Sequence, residues 1–252
     1  MNSLLYCKNV TKSFSKSGEG CNVLNNISIE IADGEFLAVM GASGSGKSTL
    51  LYALSGMDRI DAGDILFEGI KLSELTDDAL SDLRRKKMGF VFQQPTFLKT
   101  LNILDNILLP QIRDNRKDFK KLIVKAKSLM KQVGIEDLAG RDIAEVSGGQ
   151  LQRAGICRAL MNSPKVVFAD EPTGALNSKS SDEIMGLFDE IHQSGAAIAL
   201  VTHDAKVAAR ARRVLFMRDG KIVSELSQSG FTENNVAGKT ERILCEMRRF
   251  EI

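Results

Sequence analysis

Short apolar runs recur along the chain, each followed by a stretch with helical spacing, and this alternation predicts an α/β fold. Residues 36–40, 89–92, 165–169 and 196–201 read as strands buried on both faces. Helices are predicted over residues 47–54, 76–87, 146–160 and from about 179 to 193. Ahead of the first buried run, residues 4–14 and 23–31 alternate in short segments on either side of the polar stretch 15–22, the pattern of antiparallel strands. Asp33-Gly34 then turns the chain inward, and residues 63–72 form two further short strands around Glu68-Gly69. Residues 214–217 and 221–224 form a hairpin across Asp219-Gly220, after which residues 228–239 turn polar.

From residue 96 to 138 the strand signals stop. Ile103, Ile107 and Leu108 make one apolar stripe, and Leu122, Ala126, Leu129 and Val133 another, so a helical insertion separates two sheet-forming halves. Within it, residues 113–131 hold eight basic and two acidic side chains, a run that fits either a solvated helix face or contact with an anionic membrane surface. The weakly amphipathic residues 241–252 either dock on the domain or fray.

Chemistry concentrates where buried strands end. Residues 41–49 read GASGSGKST, a glycine-rich phosphate-binding loop between a strand and a helix. The glycines let backbone N–H groups close around phosphate oxygens, helped by the positive end of the helix dipole. Gly41, Ala42, Ser43, Gly44, Ser45, Gly46 and Thr49 are the candidate cradle, Lys47 reaches the β- and γ-phosphates, and the Ser48 hydroxyl suits Mg²⁺. Asp170 and Glu171 are adjacent carboxylates at the end of a buried strand, a poor arrangement for packing. Asp170 suits Mg²⁺, and Glu171 suits a general base that orients water toward a γ-phosphate. Gln93 and His203 also follow strands at the ligand-binding edge of such a sheet. Gln93 reaches Mg²⁺ or the attacking water, or simply forms a polar turn before Pro95. His192, near a helix end, reads as a surface residue. Phe14 either stacks on a flat ring such as adenine or belongs to the core. A second anion-ready helix start lies at Ser147, Gly148, Gly149 and Gln150, without a lysine or carboxylates beside it.

Composition narrows the class. The 252 residues are 43% hydrophobic, enough for a packed globule, and 34 basic against 32 acidic residues give a net charge of +2, which argues against a nucleic-acid partner. No apolar run approaches the roughly 18 residues needed to cross a bilayer, and residues 1–10 lack a signal peptide's apolar segment, so a cytoplasmic chain is expected. Cys7, Cys21, Cys157 and Cys245 are far apart, which fits reduced, mostly buried thiols.

The order of phosphate loop, Gln93, Ser-Gly-Gly-Gln helix, Asp170-Glu171 and His203 resembles the ATP-binding cassette (ABC) ATPases over nearly the whole chain. The resemblance implies a phosphate-loop NTPase (RecA-like) core over residues 1–93 and 161–230, carrying an antiparallel β subdomain. It further implies a helical subdomain over residues 94–160 and a C-terminal tail over 231–252. In that family the loop is Walker A, Gln93 the Q-loop, residues 146–150 the signature, Asp170 and Glu171 Walker B, residues 175–178 the D-loop and His203 the H-loop. Phe14 falls at the adenine-stacking position. The resemblance implies ATP and Mg²⁺ as ligands. It also implies a head-to-tail homodimer with each ATP between one protomer's loop and the other's Ser147–Gly149, and a separate multi-spanning permease that holds the protein at the cytoplasmic face of the cell membrane.

Within the family, residues 89–110 and 170–180 look like the peptide- and lipoprotein-handling branch, most of all its bacitracin and lantibiotic resistance type, with lipoprotein-release and macrolide-export ATPases as the alternative. Val146, Asn177 and Phe14 stand where leucine, aspartate and tyrosine are usual. Asn177 keeps an acceptor but loses a charge facing the opposite site. An ABC ATPase acting on DNA or ribosomes fits less well, because about a hundred residues and no long coiled coil separate loop and signature, and only one cassette is present. A different phosphate-loop kinase would leave the Ser-Gly-Gly-Gln helix without a role.

Overall fold

The computed structural model describes residues 3–16, 19–112, 118–228 and 236–252. In chain order the elements are β1 (Ser3–Lys16), β2 (Glu19–Ala32), β3 (Phe36–Gly41), α1 (Lys47–Leu54), β4 (Ala62–Phe67), β5 (Ile70–Lys71), α2 (Asp77–Lys87) and β6 (Met88–Val91). There follow α3 (Ile103–Ile112), α4 (Phe119–Gln132), α5 (Gly148–Leu160), β7 (Val166–Asp170), α6 (Ser178–Gln193), β8 (Ala197–Thr202), α7 (Ala205–Ala208), β9 (Arg213–Arg218), β10 (Lys221–Ser227) and α8 (Val236–Arg249).

Six strands form the central sheet in the order β10-β9-β3-β8-β7-β6, parallel except for the edge strand β10. Because they are parallel, the ends of β3, β6, β7 and β8 that carry the candidate chemistry lie along one edge. The sheet is covered on both faces, which is why its strands are continuously apolar. Phe36, Ala38 and Met40 of β3 enter the core shared with α3–α6, while Leu37 and Val39 enter the core shared with α1 and the second sheet.

That second sheet is antiparallel, in the order β2-β1-β4-β5. β1 and β2 each run 14 residues, longer than the short segments their alternation suggests. The reason is local: Asn9 and Asn26 adopt left-handed backbone (φ 52° and 56°), and the pairing register slips between Cys7 and Val10. The bulges reset the inward face without ending the strands. Of the polar stretch 15–22, residues 17 and 18 lie outside the described residues.

The insertion after β6 is helical, built from α3, α4 and α5. Asn106, fully buried, holds its entry loop: its Oδ1 accepts from the Leu98 amide at 2.8 Å and its Nδ2 donates to the carbonyls of Leu98, Leu101 and Asn102. The basic run begins outside the described residues, at 113–117; within α4, Lys120, Lys121, Lys127 and Lys131 are exposed opposite a buried stripe of Leu122, Ala126 and Met130. Most of the polar stretch 228–239, residues 229–235, also lies outside the described residues.

The C-terminal helix α8 docks. Ile243 is fully buried in the larger core, the Ser224 hydroxyl donates to Glu246 Oε2 at 2.8 Å, and Arg218 donates to the Phe250 carbonyl at 2.8 Å. Ile243→Ala is expected to cost about 2–5 kcal/mol. Calorimetry should show this as a drop in Tm on the order of 5–15 °C. A change of under about 1 °C would mean that α8 frays.

One expectation, on His192, needs correction. His192 is half-buried: its Nε2 lies 2.9 Å from the Gly34 carbonyl oxygen, and its ring is tilted against Phe36 at 5.7 Å. The turn at Asp33-Gly34 offers an acceptor that linear position does not disclose. Among the thiols, Cys7 and Cys157 are buried, and burial pushes them up to about 11 and about 12, whereas Cys245 is exposed on the outer side of α8.

Candidate nucleotide-binding site

A cleft of about 800 Å³ opens at the strand-end edge, lined by Phe14, Val23, Ser43, Gly44, Gly46, Lys47, Ser48, Thr49, Gln93, Glu171 and His203. The loop itself is tightly supported. Gly46 takes φ 100°, and a Cβ on it would lie 2.5 Å from the Val23 carbonyl oxygen. A Cβ on Gly41 would meet the Met217 carbonyl oxygen at 2.4 Å, so β3 leaves the sheet against β9 with no room for a side chain. The hairpin turn braces the loop from below, through the Gly220 amide donating to the Ser45 carbonyl at 3.1 Å. Gly41, Ala42 and Ser45 thus shape the loop without lining the cleft.

Lys47 is only 8% exposed, and its ammonium donates to the carbonyls of Gly41 and Ala42, both at 2.8 Å. Burial pulls its pKa below the usual lysine value, opposed by the negative charges of Glu171 and Asp170. One turn of helix α1 places Ser48 and Tyr52 on the same face, and both hydroxyls donate to Asp170: Ser48 to Oδ1 at 2.8 Å and Tyr52 to Oδ2 at 2.7 Å. Burial, and then the bond to Asp170, raise the Tyr52 pKa far above that of a free phenol, so it stays a neutral donor.

Glu171 stands at φ 46°, an unusual conformation for a residue with a side chain. It is held there by its amide donating to the Val201 carbonyl at 3.0 Å and its carbonyl accepting from the Gly174 amide at 3.0 Å. Its Oε1 lies 2.9 Å from His203 Nδ1, while Oε2 is buried and has no hydrogen-bond partner among the described residues. A buried acceptor without a partner is costly unless a donor reaches it, and because Glu171 lines the cleft, a water entering there would supply that donor. Gln93 packs over Gly174, where a Cβ would lie 2.9 Å from Gln93 Nε2. Phe14 is 46% exposed, with the Lys12 ammonium 5.1 Å from its ring centroid, which answers the core reading: it faces the cleft.

The donor set fits Mg²⁺ in kind, since Ser48, Asp170 and Gln93 offer hard oxygens. Among the described residues no group of three or more His, Cys, Asp or Glu gathers to hold a metal, so phosphate oxygens and water would complete its shell.

Ser147, Gly148, Gly149 and Gln150 do not line this cleft. Ser147 caps α5 in a reciprocal pair with Gln150, is exposed, and leaves the Gly148 amide on an open surface. Gly149 sits beside α6, where a Cβ would lie 3.7 Å from Ser180 Oγ. Asn177 caps α6, its Oδ1 accepting from the Ser180 amide at 2.9 Å, as an aspartate would. Two further residues support the cleft without a motif to announce them. Gln152, 2% exposed, donates to the Phe92 carbonyl at 3.0 Å, and Arg158 donates to the Thr96 carbonyl at 2.7 Å, so α5 holds the chain on both sides of Gln93.

Residues 24–174 match the family model described as ABC transporter. The macrolide export ATP-binding/permease protein MacB of Neisseria meningitidis is 39% identical over 227 residues, which are 90% of this chain and 35% of that protein. The chain thus spans about a third of the length of the curated relatives it matches. Among solved structures, the ATP-binding cassette MJ0796, as a dimer in a post-hydrolysis state with ADP and Pi, superposes with a TM-score of 0.85 at 37% identity over 90% of this chain and 100% of that one. A second dimeric structure of the same bacterial ABC transporter cassette gives 0.85 at 38% identity with the same coverage.

Proposed function

This chain belongs to the ABC transporter family, and we propose that it binds and hydrolyses ATP to power a multi-spanning permease at the cytoplasmic face of a membrane. The observation that carries this reading is a pair of phosphate-ready helix starts, one inside the cleft with Lys47, Asp170 and Glu171, the other exposed at Ser147 and outside it. A single copy therefore presents a site and the complement of a site. Two copies arranged head to tail close both, with each ATP between the loop of one and the helix start at Ser147 of the other.

In this arrangement Phe14 stacks on the adenine, the loop amides and Lys47 hold the phosphates, and Ser48, Asp170 and Gln93 hold Mg²⁺. When bound there, Mg²⁺ would supply positive charge against the phosphates. Glu171 takes a proton from water at Oε2, while His203 fixes the carboxylate through Oε1. Hydrolysis opens the dimer, and the segment from Gln93 through the helical insertion carries the motion to the permease. Among the described residues no helix is long and apolar enough to cross a membrane, so the spans are supplied by chain beyond them or by a partner.

For the cargo, the 39% identity to a macrolide exporter supports export of a macrolide-like antibiotic. The blocks at residues 93–110 and 170–179 are what favours a membrane-active peptide instead. Deleting the gene and measuring inhibitory concentrations separates the two. Sensitisation to macrolides is the expected result; sensitisation to bacitracin and lantibiotics alone assigns the peptide cargo, and no change with either class contradicts a role in drug export.

A further inference from the structure

Asp170 is 9% exposed and both its oxygens accept from hydroxyls, yet only one of those hydroxyls belongs to the phosphate loop. The other is Tyr52, four residues further along α1. We infer that Tyr52 is a positioning residue for the metal site: it pins Oδ2 of Asp170 so that the carboxylate presents Oδ1 at the Ser48 side in one fixed orientation. This inference rests on the Mg·ATP reading of the cleft.

The choice of donor matters. A lysine or arginine at this position would pair with Asp170 and cancel the charge that attracts a divalent cation, whereas a neutral phenol orients the carboxylate and leaves its charge intact. The phenol is itself fixed. Its ring packs against Phe92 at 6.5 Å between centroids, Phe92 stacks on Phe90 at 6.2 Å, and Phe90 stacks on Phe168 at 5.6 Å. Phe168 lies two residues before Asp170 on β7, so the aromatic series that begins at Tyr52, bonded to Asp170, ends on the strand that carries Asp170. Phe92 also precedes Gln93, and its carbonyl accepts from Gln152 of α5. The side chain that holds the metal carboxylate therefore leans on the segment that joins the core to the helical insertion, and a shift of that segment is felt at Asp170 through Tyr52.

Tyr52→Phe keeps the ring and removes the hydroxyl, and ADP as probe removes turnover from the measurement. The expected result is a fall of about 10–100-fold in Mn²⁺ affinity of the ADP-loaded protein, read by electron paramagnetic resonance, with ADP affinity in EDTA unchanged. In turnover, the apparent KM for Mg²⁺ should rise more than kcat falls. Unchanged Mn²⁺ affinity overturns the inference, as does an equal loss of metal-free ADP affinity, which marks a general packing defect. A wild type whose ADP binding ignores divalent cations overturns the Mg·ATP reading itself. A second measurement leaves the site intact: the chain has two tyrosines and no tryptophan, so in Tyr6→Phe the ultraviolet emission comes from Tyr52 alone. That emission should change as Mg²⁺ is added to the ADP complex, and emission blind to the metal overturns the inference.

Discussion

Replacing Glu171 by glutamine is expected to lower ATP turnover by about 10²–10⁴-fold while leaving ATP affinity nearly unchanged. The substitution preserves volume and an acceptor, so the left-handed backbone at Glu171 and the neighbouring bonds to Val201 and Gly174 persist. On the role proposed for Glu171, what it removes is the capacity to take a proton from water at Oε2, which is buried and has no partner among the described residues. Because the phosphate cradle, Lys47 and Asp170 are untouched, the binding term stays and only the transition-state term is lost, which appears as a fall in kcat without a matching rise in KM. Single-turnover hydrolysis reads this directly. Wild-type rates would mean that another group activates the water.

Lys47→Ala acts earlier in the cycle. Lys47 is 8% exposed, and its ammonium, near two carboxylates, braces the loop through the carbonyls of Gly41 and Ala42. Removing it leaves Asp170 and Glu171 facing a polyphosphate with no cation from the protein between them. ATP affinity is expected to fall about 10–100-fold, as for loss of a hydrogen bond to a charged group, and hydrolysis by about a further 10²–10³-fold. Calorimetric titration with ATP gives the first number and steady-state turnover the second. Unchanged affinity would place the phosphates elsewhere. The contrast with Glu171→Gln, which binds but does not turn over, separates holding the nucleotide from cleaving it.

Much of the candidate site stood out in the sequence because its residues break the rule of their surroundings: glycines between a strand and a helix, two carboxylates at the end of a buried strand, a histidine after another. Polar groups at the ends of apolar runs stand out in a linear reading. Tyr52, Gln152 and Asn106 do not, since each sits within a helical stretch where its spacing passes for ordinary packing, and only the fold brings Asp170, the Phe92 carbonyl and the loop at residues 98–102 to them. The backbone of Glu171 was likewise invisible, being imposed by β8 through the Val201 carbonyl rather than by residue type. In the fold, the buried strands of the parallel sheet were clear from their continuous apolar runs, whereas bulges at Asn9 and Asn26 disguised two long strands as short segments. The docking of α8 depends on Ile243 meeting a core assembled from distant elements, and nothing local in residues 241–252 could decide it.

The reading as an ATP-driven clamp stands on the two helix starts, one in the cleft and one outside it. Sedimentation velocity of Glu171→Gln with Mg·ATP and with Mg·ADP tests this most directly, because the variant is expected to hold ATP without consuming it. The account predicts a dimer with ATP and a monomer with ADP, and a monomer in both when Gly148→Asp sets a charge against the incoming phosphates at the Ser147 helix start. An ATP-loaded monomer, or an ATP-dependent dimer that Gly148→Asp leaves intact, would contradict it.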